Sequence, residues 1–223
     1  MLTFAIGDVH GCIAKLTRLL DRCLRHAGER PYRFVFVGDY VDRGPDSRSV
    51  IALLIEMQRR RPADVICLRG NHEALMLEAL STGDLSLWLL NGAAETIASY
   101  GIDDPAALPQ RDFDWVAALP ICYDDGRRYF VHAGVNPAFP LDQQSEHDRL
   151  WIREPFLSST RDYGRFIVHG HTPQRSGLPE LRPNRLNLDT AAVYGGPLTA
   201  AVFTAEKTEP VAFLTDRGDD AGW

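Results

Sequence analysis

Leu2-Thr3-Phe4-Ala5-Ile6-Gly7-Asp8-Val9-His10-Gly11 is a short, mostly apolar run that breaks off into a turn carrying an aspartate and a histidine between two glycines. The same design returns along the chain. Residues 33–37 run into Gly38-Asp39-Tyr40-Val41-Asp42-Arg43-Gly44, and residues 64–68 into Arg69-Gly70-Asn71-His72-Glu73. Further on, residues 128–131 lead to His132-Ala133-Gly134, residues 165–168 to His169-Gly170-His171-Thr172, and residues 185–188 to Asp189-Thr190. Short segments rich in β-branched and aromatic side chains, closed by glycine-containing or polar turns, predict buried strands.

Between the early strands the periodicity changes. Ile13, Leu16, Leu19, Leu20, Cys23 and Leu24 fall on one stripe at helical spacing, with Lys15, Arg18, Arg22 and Arg25 on the polar side. Residues 47–60 form a second helical pattern around Val50, Ile51, Leu54, Ile55 and Met57. Its basic end, Arg59-Arg60-Arg61 before Pro62, reads as a solvated helix C-terminus favoured by the macrodipole. Residues 73–80 and 84–100 are further helix candidates, with Trp88 a core residue among leucines, and late strands are expected at 199–203 and 211–215. The fold class is therefore α/β in the first half and β-rich, or α+β, in the second. Ligands of open α/β sheets bind beyond the carboxyl ends of the strands. The polar turns all lie at such ends and are expected to converge.

Composition narrows the function classes. With 223 residues, 45% hydrophobic and 24% charged, the chain has the make-up of a globular protein, and one domain over residues 1–223 is expected, its acidic tail 216–223 fraying. A net charge of −6 argues against a protein that coats nucleic acid. No apolar run nears the roughly eighteen residues of a membrane helix, and the N-terminus lacks a basic n-region, so neither a membrane span nor a signal peptide is expected. Cys12, Cys23, Cys67 and Cys122 form no Cys-x-x-Cys pair, which suits reduced thiols and a cytoplasmic location. Lys15 and Lys207 are the sole lysines beside an excess of arginines. That excess reads mainly as compositional bias, with room for some guanidinium groups to act as planar anion-binding forks.

The turns collect Asp8, His10, Asp39, Asp42, Arg43, Arg69, Asn71, His72, His132, His169 and His171; only His26 and His147 among the seven histidines fall outside them. A single histidine after a strand is ordinarily structural. Five of them, with aspartates and an asparagine, point to a site for borderline divalent ions such as Mn, Fe or Zn. An all-oxygen calcium site and a cysteine-based structural zinc fit this donor set poorly.

Gly7-Asp8-Val9-His10-Gly11, the block at residues 38–44 and Arg69-Gly70-Asn71-His72-Glu73 resemble the three signature blocks of the phosphoprotein phosphatase family of metallophosphoesterases, in particular its compact bacterial and phage lambda-type members. The blocks at His132 and at His169–Thr172 resemble the later histidine blocks. Residues 91–101, 150–154 and 189–196 resemble connecting segments of the bacterial branch. The resemblance covers roughly residues 4 to 203 and implies a calcineurin-like fold, a central β-sandwich flanked by helices, with the site at the carboxyl ends of the strands. It also implies two divalent ions, manganese first and iron or zinc as alternatives. Asp8 and His10 would bind one ion, Asp39 would bridge, and Asn71, His132 and His171 would bind the other.

His72 matches the family's general acid, with Asp42 setting its tautomer, although Asp42-Arg43-Gly44 also reads as a plain turn. Arg43 and Arg69 match phosphate-binding arginines, and Arg153 a third, with Asn71 also facing substrate. Glu73 reads as a first-turn helix acid, and His169 as structural or as a support for the ligands. Asp189 and Tyr194 could line the pocket or merely pack. Asp189-Thr190-Ala191 departs from the Asp-Thr-Gly of many bacterial relatives, which puts the local turn in question.

The activity implied is hydrolysis of phosphoserine and phosphothreonine in proteins, with phosphotyrosine an extension, by direct attack of a dimetal-bound hydroxide and without a phosphoenzyme. No cysteine is followed by the arginine-closed loop of cysteine-based tyrosine phosphatases. A dinucleoside polyphosphate hydrolase is the alternative, since such enzymes share the ligands but tend to carry a differing second block and Gly-Asn-His-Asp, where this chain has Gly70-Asn71-His72-Glu73. A catalytically dead scaffold would have lost ligands or His72, and none is missing. The expected partner is a phosphorylated protein or peptide, with no nucleic acid and no membrane.

Overall fold

A computed structural model describes residues 1–217. The first half alternates as the periodicities predict: β1 (Leu2–Ile6), α1 (Ile13–Ala27), β2 (Tyr32–Phe36), α2 (Ser47–Arg60), β3 (Val65–Cys67) and α3 (Asn71–Thr82). Short helices follow, α4 (Ser86–Leu90), α5 (Ala93–Tyr100) and α6 (Gln110–Ala117), then β4 (Cys122–Asp124), β5 (Arg128–Val131) and α7 (Glu146–Trp151). The chain closes with β6 (Phe166–His169), β7 (Glu180–Arg182), β8 (Arg185–Asn187), β9 (Thr199–Thr204) and β10 (Ala212–Thr215).

These strands build two five-stranded sheets, ordered β10-β9-β1-β2-β3 and β4-β5-β6-β8-β7. In the first, β1, β2 and β3 are parallel, with Phe4 opposite Phe34 and Phe34 opposite Val65. In the second, β5, β6 and β8 are parallel. The antiparallel strands lie at the sheet margins. Each sheet thus has a parallel core whose carboxyl ends point one way, and every polar turn of the motif set leaves from such an end.

Alternation along the strands sorts side chains into layers. Phe4 and Ile6 face outwards onto Leu16, Leu19, Val50, Ile51 and Leu54 of α1 and α2. Ala5, Val35, Ala201 and Phe203 face inwards and meet Phe130, Val168 and Leu186 of the second sheet. On its far side Tyr129, Val131 and Ile167 are covered by Ile152 and Phe156. The result is the expected β-sandwich with helices against it. No helix among the described residues is long and apolar enough to cross a membrane.

Several local expectations change. Residues 84–100 are two helices, because Gly92 adopts φ 101° and its carbonyl accepts the Arg43 N–H (3.0 Å). A side chain at Gly92 would strike the Arg43 Cγ, so the break is built around that arginine. Leu24 leaves the apolar stripe of α1 and is 43% exposed. The short elements α6, β4, α7 and β7 carry too few residues to show a period. The expected frayed tail is anchored at its start: Asp216 is buried, accepts the Leu198 N–H (2.8 Å) and Arg18 Nη2 (2.7 Å), and donates its own N–H to the Leu198 carbonyl. Residues 218–223 lie outside the described residues. Lys15 does not stay in solvent, for its Nζ donates to the carbonyls of Ala192 (2.7 Å) and Gly196 (2.6 Å), clamping the loop after β8 onto α1.

Candidate metal centre

The turns converge as expected. Asp8 and His10 follow β1, Asp39 and Asp42 follow β2, Asn71 and His72 open α3 after β3, His132 follows β5 and His171 follows β6; all eight are buried. Asp39 stands at the middle. Ligand-capable atoms of His10, Asp39 and His72 lie within 4.8 Å of one another, as do those of Asp39, His132 and His171. Asp39 Oδ2 is 3.5 Å from His10 Nε2, and Oδ1 is 3.4 Å from His132 Nε2. Asn71 Oδ1 lies 2.8 Å from both His132 Nε2 and His171 Nδ1.

Backbone carbonyls aim the imidazoles. A carbonyl can only accept, so His10 Nδ1–H donates to Val41 O (2.8 Å) and His132 Nδ1–H to Val37 O (3.0 Å). Each leaves a lone-pair Nε2 turned into the centre, the orientation a metal ligand needs. Asp8 is placed by a different contact, its carboxylate accepting the His171 N–H (3.0 Å). It belongs to neither three-residue group, where His72 stands instead. Gly170 makes the Asp8 contact possible, since a Cβ there would lie 1.9 Å from Asp8 Oδ1.

The backbone is held in an unfavourable region to achieve this. Among the described residues six that are not glycine have positive φ: His10 (42°), Asp39 (53°), Asp42 (70°), Arg43 (68°), His171 (65°) and Ala191 (59°). Five are residues that the motif resemblance singled out. Each such conformation costs on the order of 1 kcal/mol or more and persists where its surroundings over-determine it. Ala191, at the turn the sequence put in question, adopts left-handed backbone (φ 59°, ψ 41°), a conformation that a glycine would take without strain.

Electrostatics favour a bound cation. Burial holds His10 at about 3 and His171 at about 2, and lowers His132 as well, so these imidazoles are neutral donors. Burial alone would raise Asp39, yet its carboxyl lies well below the usual range, drawn down by His132, His72, His10 and His171 wherever one of these imidazoles carries a proton. Asp8 is pushed up by burial and by the charges of Asp189 and Asp39, and Asp189 rises to about 7 for similar reasons. Four buried acids, Asp8, Asp39, Asp189 and Glu73, crowd neutral imidazoles, and among the described residues His171 Nε2 has no hydrogen-bond partner. Such a cluster is unfavourable without a compensating cation. The donor set fits divalent metal ions.

His72 falls within the first three-residue group, but its ring is engaged by another carboxylate. Its Nδ1 is 2.7 Å from Asp42 Oδ2, while Trp88 Nε1 donates to both Asp42 oxygens (3.0 Å each) and Thr96 Oγ1 donates to Oδ1 (2.8 Å). Burial raises the Asp42 carboxyl above its ordinary value, and these donors work against that shift by favouring its charged form. Burial works against a charged His72, but Asp39 and Asp42 outweigh it and the imidazole lies above its ordinary value. The plain-turn reading of Asp42 therefore gives way to a hydrogen-bonded partner for His72. Trp88 and Thr96 are polar partners that the sequence did not reveal: a tryptophan among leucines carries no sign of where its N–H points.

The arginines divide. Arg43 Nη1 is 3.0 Å from His10 Nε2, and its guanidinium carbon is 5.8 Å from the Tyr194 ring centroid. Arg69 instead donates to the carbonyls of Ala117 (2.6 Å) and Leu119 (3.2 Å) and lies 3.5 Å from Glu146. Arg153 is exposed, and its charge helps to lower His132 and His171. His169 turns away from the centre, with Phe156 at 5.0 Å and Arg185 Nη1 3.3 Å from its Nε2.

Glu73 does more than cap α3. Fully buried, it accepts the N–H groups of Asp39 (2.9 Å), Tyr40 (2.7 Å), Val41 (3.2 Å) and Gly70 (2.8 Å), tying two motif turns together. Burial and Asp39 push its carboxyl up to about 7 against these donors. Glu73→Gln turns one acceptor into an amide donor facing backbone donors. It is expected to lower the unfolding free energy of the metal-free protein by about 3 kcal/mol, read by denaturant titration. An unchanged midpoint would show that the clamp adds no stability.

The profile of the calcineurin-like phosphoesterase family matches residues 1–205. The chain belongs to that family. It is 31% identical to serine/threonine-protein phosphatase 1 of Salmonella typhimurium over 89% of this chain and 90% of that protein. It is also 33% identical to a symmetrical bis(5'-nucleosyl)-tetraphosphatase of Dechloromonas aromatica, over 66% of this chain and 48% of that protein, so the match spans about half of this relative. A solved structure of a provisionally assigned diadenosine tetraphosphatase superposes with a TM-score of 0.70 at 25% identity, covering 96% of this chain and 92% of that one. Membership of the family implies a hydrolase of phosphate esters with a dinuclear divalent metal centre.

Proposed function

We propose that the chain is a metal-dependent phosphomonoesterase acting on phosphoserine and phosphothreonine in proteins, with phosphotyrosine as a further substrate. The observation that carries this reading is the pair of three-residue groups sharing Asp39, with the His72–Asp42 pair beside them. Asp8, His10 and Asp39 would hold one divalent ion, and Asp39, Asn71, His132 and His171 the other, with manganese the first choice. When bound, the ions supply positive charge for the phosphoryl oxygens and lower the pKa of water. Arg43, already at the edge of the centre, orients the phosphoryl group through paired guanidinium N–H donors. Arg69 joins it by exchanging the carbonyls of Ala117 and Leu119 for phosphate, and the exposed Arg153, whose charge already acts on His132 and His171, supplies a third guanidinium. His72 holds the proton that the departing alkoxide needs, and Asp42 keeps that proton available.

A relative 31% identical along nine-tenths of both chains is a serine/threonine-protein phosphatase, which supports the protein reading. The tetraphosphatase similarities favour the alternative, hydrolysis of dinucleoside polyphosphates at the same centre. A substrate panel on metal-stripped protein reloaded with manganese decides between them. An aryl phosphate and phosphoserine peptides are expected to be turned over faster than a dinucleoside tetraphosphate. Preference for the nucleotide promotes the alternative, and failure on all three removes the phosphoesterase reading.

A further inference from the structure

The loop that Lys15 clamps is also the wall of a cavity. A space of about 840 Å³ lies between the segment after His171 and the segment after Asp189, lined among others by Arg175, Leu178, Tyr194, Gly195 and Arg217. It adjoins the metal centre through two routes. Tyr194 belongs to its wall and stands over Arg43, whose Nη1 reaches His10. Pro173, two residues beyond His171, belongs to the opposite wall. The charge of the lining is notable for a chain of net charge −6: among the described residues it holds two arginines and no carboxylate. Arg217 donates to the Gly195 carbonyl, which fixes its guanidinium on the rim, whereas Arg175 is exposed beside it. Tyr194 is 63% exposed although it sits on a clamped loop.

We infer that this cavity is a second anion subsite, binding a negatively charged group of the substrate beyond the phosphoryl group being cleaved. The inference rests on the proposed phosphoesterase activity and adds a substrate preference to it. Two guanidinium groups, with no carboxylate among the described lining residues, offer charge-assisted donors to a carboxylate or a phosphate. The exposed face of Tyr194 spans the gap between Arg43 and this rim, so a substrate running from one anion site to the other crosses an aromatic surface. Two sources supply such an anion: an acidic residue beside the phosphoserine of a peptide, or the further phosphates of a nucleotide.

The test uses the full-length enzyme loaded with manganese and compares Arg175→Ala/Arg217→Ala with the parent. Four substrates are measured: an aryl phosphate, a phosphoserine peptide with acidic neighbours, the same peptide with neutral neighbours, and a dinucleoside tetraphosphate. The parent is expected to prefer the acidic peptide over the neutral one. The double variant should lose about tenfold in kcat/KM on whichever anionic substrate uses the subsite, relative to the aryl phosphate, mainly through KM. Loss confined to the acidic peptide identifies the carboxylate source, and loss confined to the nucleotide identifies the phosphate source. Arg175→Glu should lower the acidic peptide further and favour a peptide with basic neighbours. Equal effects on all four substrates, or none, overturn the subsite while leaving the phosphoesterase reading intact. Absence of turnover by the parent on every substrate overturns both.

Discussion

Asp39→Asn is expected to lower divalent metal affinity by about a hundredfold or more and to remove turnover with it. The carboxylate is the one member common to both three-residue groups, with Oδ2 towards His10 and Oδ1 towards His132. Its carboxyl stays well below the usual carboxylate range despite complete burial. An asparagine keeps the shape, and its remaining oxygen can still accept the His72 N–H that Asp39 Oδ1 takes at 3.1 Å. It removes the charge, however, and turns an NH₂ group towards an imidazole nitrogen. Calorimetric titration of manganese into the metal-free variant, together with aryl phosphatase assays, reads both effects. Two ions bound at parental affinity would disprove the bridging assignment. Loss of activity with the metals retained would move Asp39 from ligand to another role.

His72→Asn separates proton delivery from metal binding. The imidazole is locked on Asp42, and Asp42 is locked on Trp88 and Thr96, so the ring has one orientation. Removing a positioned general acid costs about a hundredfold to ten-thousandfold where the leaving group needs a proton. A phosphoserine peptide leaves as an alkoxide and should show the full loss. An aryl phosphate leaves as a stabilised phenolate and should lose far less. Metal content should stay at the parental level, because Asp8, His10 and Asp39 suffice for that ion. Equal losses on the two substrates would take the acid role away from His72.

The short polar turns were readable because each had to do two things at once. A strand end must reverse the chain, which favours glycine, and a metal site needs Asp, His and Asn. Both demands are written into five or six consecutive residues, as at Gly7–Gly11 and Arg69–Glu73. The helix break at Asn91-Gly92 was not readable in the same way. Its cause is the approach of Arg43, about fifty residues earlier, and nothing in residues 84–100 contains that contact. Asp216 shows the same limit: an acidic residue near a chain end looks solvated until Leu198 and Arg18 are brought to it.

Local pattern by itself determined the strands apart from β4 and β7, the two long helices and the identity of the convergent side chains, because period and turn chemistry act over a few residues. Tertiary structure decided which groups those side chains meet. It selected Trp88 and Thr96 as partners of Asp42, made Glu73 a clamp between two turns, and engaged Arg69 with backbone carbonyls. It also set Lys15 under the loop of Tyr194. The physical reason is that hydrogen bonds and buried charges are settled by distance in space. Such distances exist only after both parallel sheet cores have aligned their carboxyl ends.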